Sequence, residues 1–140
     1  MTVFAAILAE LDAGLAGQGD LPSGAALLAM AETVLEAWLA GQGQAPTEDR
    51  LEGFRLLALH RQGCWGVPSF NACRETCREI VFRHNVAVSY ADSAAESLAQ
   101  RRLMAMTVTH LALFVGGKMQ AAGLGDFCCS ARPLHTAGAA

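Results

Sequence analysis

The chain has 140 residues and a net charge of −3, with an apolar fraction of 53% and only 16% charged residues, where about 25% is ordinary. That length suits one domain able to bury roughly two thirds of its unfolded surface, and the ten basic residues are interleaved with acids, so no phosphate-tracking stripe for nucleic acid is expected. Five cysteines, an odd number, suit a reducing compartment better than a disulfide framework.

Val3, Phe4, Ile7, Leu8, Leu11 and Leu15 recur at helical spacing and predict a first helix over residues 2–15, stopping in Gly17-Gln18-Gly19. The start lacks a positively charged n-region and carries Glu10, so it does not read as a signal peptide. A second helix follows Pro22 and its N-cap Ser23, with Leu27, Leu28, Ala31, Val34, Leu35, Trp38 and Leu39 on one face.

The segment Leu15 to Ser23 is then answered by Leu39-Ala-Gly-Gln-Gly-Gln-Ala-Pro-Thr47. Two copies are too few for a solenoid. The simpler reading is one stop-and-cap device used twice, and the alternative is a duplicated helical hairpin. On either reading Thr47 caps a third helix, with Glu48 and Asp49 in its first turn and His60 and Arg61 in its last.

Gly63 to Pro68 is the one irregular link with bulky content, and Trp65 with Val67 marks it as an interaction loop unless the indole folds back onto the core. A fourth helix over residues 69–88 places Phe70, Cys73, Cys77, Ile80, His84 and Val88 on one face. Ser93-Ala-Ala-Glu96 is a capping box. It opens the segment 92–117, which is apolar on nearly every side between Leu103 and Val115, so it is expected to be the buried centre of the fold, with His110 sealed inside. Its thirteen-residue apolar run is too short for a membrane span.

The expectation is an all-α, five-helix up-and-down bundle over residues 1–124, followed by an irregular C-terminal tail over 125–140 that carries Cys128 and Cys129. With the turn between the last two helices centred near position 90, Cys73, Phe70 and His110 should lie within a helical turn of one another, below Cys64.

Cys64, Cys73, Cys77 and His110 would form a soft ligand set of the kind zinc takes, and His110 or His84 would be the axial ligand if haem were held. Plain core packing of the thiols and a satisfied histidine are the simpler account, so no cofactor is predicted. No nucleophile in a recognisable setting is found. The functional expectation is a non-catalytic cytoplasmic accessory or adaptor protein that self-associates or meets a protein partner, without nucleic acid or a membrane span. The alternative is a ligand-, haem- or metal-binding bundle using Cys73, Cys77 and His110.

Overall fold

The computed structural model describes residues 2–124, so the expected tail at 125–140, with its two vicinal cysteines, lies outside the described residues. Five helices follow one another: α1 (Val3–Leu15), α2 (Gly24–Gly41), α3 (Arg55–Cys64), α4 (Asn71–Ser89) and α5 (Ala94–Ala121), with a single 3-10 turn, Pro68–Phe70, leading into α4. The all-α bundle expected from the sequence is what the chain forms.

Three starts are fixed by hydroxyl caps. The Thr2, Ser23 and Ser93 side chains accept from the backbone N–H groups of Ala5, Ala26 and Glu96 at 3.0, 3.1 and 3.3 Å, satisfying donors that a helix start leaves free.

α5 packs against α1, α2 and α4, whereas α3 lies to one side against α2 and α4. Met104, Ala105, Val108, Leu111, Ala112 and Val115 carry the centre of the core, against Leu27, Val34 and Leu35 of α2 and Leu11 of α1. Two arginines of α5 tie down the α1–α2 link: Arg101 donates to the Leu21 and Pro22 carbonyls and Arg102 to that of Leu15, the last residue of α1. Cations at the end of a helix favour its negative pole.

α5 is nevertheless not sealed. Leu103, Met106, His110 and Leu113 form an exposed stripe along it, with Met106 56% exposed. A helix apolar on all sides need not be covered on all sides. Here packing against α1, α2 and α4 covers one flank, and the other flank keeps its apolar residues in water.

The third helix starts later than expected. Residues 48–54 do not continue from Thr47 as helix; its hydroxyl instead accepts from the Asp49 N–H in a local turn. Leu51 and Phe54 exchange both backbone hydrogen bonds at 3.0 Å across Glu52 and Gly53, whose φ values of 56° and 87° are those of a tight two-residue turn. Arg55 then begins α3. A cation is unfavourable there on dipole grounds, and it is held by Glu36, Glu32 and Glu48 and by the Thr47 carbonyl at 2.9 Å.

The sequence repeat is not a structural one. Gly17 takes the left-handed conformation after α1, but its counterpart Gly41 is helical, and it is Gly43 that takes that conformation after α2. The two stops therefore differ in local geometry, and Thr47 does not repeat the cap that Ser23 makes.

α2 is 18 residues long and apolar enough, by length and composition alone, to cross a membrane. Six of its residues, from Leu27 to Leu39, are packed in the core of the bundle.

Candidate functional site

Cys64 is the last residue of α3, while Cys73 and Cys77 lie in the first two turns of α4. The crossing of these two helices is set by aromatic packing. Phe70, wholly buried just before α4, meets Trp38 of α2 at 4.8 Å with the rings tilted by 41° and Phe114 of α5 edge-on at 5.3 Å. The Trp38 indole N–H donates to the Gly63 carbonyl at 3.0 Å, holding the end of α3 against α2. Gln62 clamps the preceding loop, accepting from the Thr47 N–H at 2.8 Å and donating to the Ala45 carbonyl at 2.9 Å.

Three thiols meet as a result, all buried and all free. Cys73 is the middle one, within hydrogen-bonding reach of Cys64, Cys77 and His60. His60 is buried and its Nε2 lies 3.3 Å from the Phe70 carbonyl, a bond that requires that nitrogen to carry a proton.

Hydrogen bonds from Cys64 and Cys77, with His60 adding to them, hold the Cys73 thiol well below its ordinary range against the opposing effect of burial. The bond to Cys73 and burial push Cys64 and Cys77 up. The position of Cys73 in the first turn of a 19-residue helix works in the same direction as the bonds it receives.

A cleft of about 440 Å³ opens over this cluster, within the range of small-molecule sites. Leu57, His60, Cys64 and Cys77 line its depth, and Arg61, Asn71, Arg74 and Arg78 line its mouth beside Trp65. Arg78 is committed to Glu52 through two bonds at 3.3 and 2.9 Å. Arg74 makes only a loose, exposed contact with Glu75 at 3.6 Å, and Arg61 has no ion-pair partner among the described residues. The mouth thus has spare positive charge over an apolar, sulfur-rich floor. A wider, shallower depression of about 840 Å³ lies on the other side of Arg61 and Trp65, and it holds no thiol.

Cys64, Cys73 and Cys77 are therefore brought together, but His110 is not with them. It stands on the exposed stripe of α5, because Val108 and Leu111 take the core-facing positions on either side of it. The partner facing Phe70 is Phe114, one turn further along than the sequence register placed it. With His110 outside, the zinc alternative loses its imidazole, and the haem alternative loses one of its two candidate axial ligands. Among the described residues no three His, Cys, Asp or Glu side chains are grouped so as to hold a metal ion. His84 is half-buried elsewhere, edge-on to Phe54 at 5.6 Å.

Trp65 does not fold back onto the core; it is 78% exposed at the rim of the cleft, and Val67 beside it is partly exposed. The residue that sequence reasoning missed is His60, read only as a cation in the last turn of its helix. The signal was present in its spacing: Leu56, His60 and Cys64 recur at four-residue steps, so the imidazole shares the buried face.

Comparison with known proteins finds no family model, no curated protein and no solved structure that matches this chain.

Proposed function

We propose that this chain is a small helical binding protein that takes an organic anion with a short apolar body in the cleft between α3 and α4. The observation that carries this reading is the pairing of two arginines not engaged in strong ion pairs, Arg61 and Arg74, with an apolar floor of Leu57, Cys64 and Cys77 in one concavity. Guanidinium groups recognise carboxylates and phosphates through paired N–H donors. The floor rewards burial of the remainder at about 25 cal/mol per Å², and Trp65 stands where it would cover a bound molecule.

Titration with hexanoate and benzoate, followed by tryptophan emission, tests this. Each acid is expected to give a saturable blue shift that Trp65→Phe abolishes. Arg61→Gln with Arg74→Gln should weaken the affinity at least about tenfold, the loss of one to two charge-assisted bonds. Equal binding of hexanol and hexanoate would contradict the reading, as would the absence of any saturable change.

A second reading, self-association, draws support from the stripe on α5. Leu103, Met106, His110 and Leu113 follow the three-and-four spacing of a coiled-coil seam and include no acidic or basic residue other than the imidazole. An antiparallel copy would set Leu103 against Leu113 and Met106 against His110. On this reading light scattering gives a dimer mass, and Met106→Glu with Leu113→Glu returns the monomer while leaving the helical signal intact. A monomer in the unaltered chain retires it.

A further inference from the structure

The cleft between α3 and α4 is not closed on the α3 side. It shares Leu51, Arg61 and Trp65 with the wider depression beyond them, so the two make one trough that Arg61 and Trp65 divide. Its halves differ in lining. The α4 half has the apolar floor and the guanidinium groups of Arg61 and Arg74, whereas the far half is walled by Thr47, Asp49, Arg50 and Gln62. We propose that the trough binds the carboxyl-terminal segment of a partner protein. The terminal carboxylate lies against Arg61 and Arg74, an apolar last side chain covers the floor, and the preceding residues run past Trp65 into the polar half.

The inference rests on the proposed anion site and names what the anion belongs to. A short free acid fills only the α4 half and leaves the adjoining depression of about 840 Å³ unused. A chain's last residue carries its carboxylate and its side chain on one carbon, so the first can meet the arginine rim while the second enters the apolar floor. An internal Asp or Glu has no apolar group beside its carboxylate and would leave Leu57, Cys64 and Cys77 uncovered. Capture of a terminal carboxylate is a recurring mode of peptide recognition. Asn71 at the mouth adds an exposed side-chain amide that can both donate to and accept from a peptide group.

The far half offers what an extended backbone needs. Gln62 is held in place by its bonds to the Thr47 N–H and the Ala45 carbonyl. Arg50 spends one bond, from Nη1 to the Gly53 carbonyl at 3.2 Å, and keeps most of its N–H donors for peptide carbonyls. The Asp49 carboxylate has no ion-pair partner among the described residues and can accept from peptide N–H groups. Trp65, 78% exposed at the divide, presents an amphipathic ring for the chain to cross.

Charge selects the end of the partner that enters. In the lining of the trough Arg50, Arg61 and Arg74 face one carboxylate, that of Asp49, while Arg78 is neutralised by Glu52. The surplus is positive, which draws a carboxyl terminus and repels an amino terminus.

The test titrates the full chain, read by tryptophan emission, with hexanoate, with an acetylated tetrapeptide of small polar residues ending in leucine, and with that peptide amidated at its end. The free-acid peptide is expected to bind at least about tenfold tighter than hexanoate, and amidation to weaken it at least about tenfold through loss of charge-assisted bonds. Glycine in place of the last leucine should cost at least about fivefold, the apolar burial forgone. Arg50→Gln, an exposed change, should narrow the peptide's advantage over hexanoate at least about threefold. Peptide binding no tighter than hexanoate, equal binding of acid and amide, or equal binding of an amidated peptide with one internal acid would overturn the inference and leave the small-acid site standing. Carboxylate-dependent peptide binding without any response to hexanoate would support the inference and retire the small-acid reading. No saturable change with any probe would overturn both.

Discussion

Replacing Phe70 by alanine is expected to destabilise the protein by roughly 3–5 kcal/mol, and to lower Tm by roughly 10 °C or more at this chain length. The side chain is wholly buried between Trp38 and Phe114, so it joins α2, α4 and α5 at one point. Its loss leaves a cavity bounded by two large aromatic groups that cannot collapse into it without moving helices. Offset and edge-on ring pairs add about 0.5–1.5 kcal/mol beyond their area.

The backbone of residue 70 has its own role, since its carbonyl is the partner of His60. Alanine preserves that group, which means that any loosening of the thiol cluster in this variant comes from packing. Urea denaturation checks the magnitude, and faster alkylation of Cys64 and Cys73 checks the consequence. A loss below about 1 kcal/mol would mean that Phe70 lies in a site less tightly packed than described.

The second large effect is a coupled pair where α3 crosses α2. A methyl group on Gly63 would come 2.7 Å from Cδ2 of Leu39 and 3.1 Å from Cδ1 of Trp38. Both are core residues, and Leu39 is completely buried, so neither has free space to move into. Gly63→Ala gains up to about 1 kcal/mol of helix propensity, but overpacking costs about 1–3 kcal/mol, and with so little room for Leu39 the clash prevails.

Leu39→Ala alone should cost about 2–5 kcal/mol by opening a cavity. In the double variant the new methyl occupies space that the leucine has vacated, so the two costs should fall short of their sum by at least about 1 kcal/mol. Denaturation midpoints of the four proteins give this coupling directly, and strict additivity would show that the helices are not in contact at this point.

Much of this architecture was legible in the residues. Thr2, Ser23 and Ser93 announced three helix starts because a hydroxyl before an apolar run has one main structural use, and each accepts as expected. Thr47 carries the same signal and is not a helix cap, because Glu52 and Gly53 bend the chain five and six residues later and α3 begins only after that turn.

The site was half legible. Cys73 and Cys77 fall on the core stripe of α4 by spacing alone, and the turn near residue 90 gave the register of α5 to within one turn. The failure lay in α5 itself, where apolar residues on all sides concealed which side faces inward, so His110 was placed inside and is outside. His60 was hidden for the opposite reason. Beside Arg61 near the end of a helix it looked like one of two cations, yet Leu56 and Cys64 carry its face into the core. The arginine rim had no sequence signature, since Arg61 comes from α3 and Arg74 and Arg78 from α4, and only the crossing brings them together.

The most direct measurement of the central claim, that the cleft between α3 and α4 is the binding face, is a backbone amide NMR titration of the isotope-labelled chain with hexanoate. The account predicts saturable shifts at Leu57, Arg61, Cys64, Asn71 and Arg78 and at the Trp65 indole N–H, with the α5 stripe around Met106 and Leu113 unmoved. Shifts centred on that stripe, or no saturable shifts at all, would contradict it.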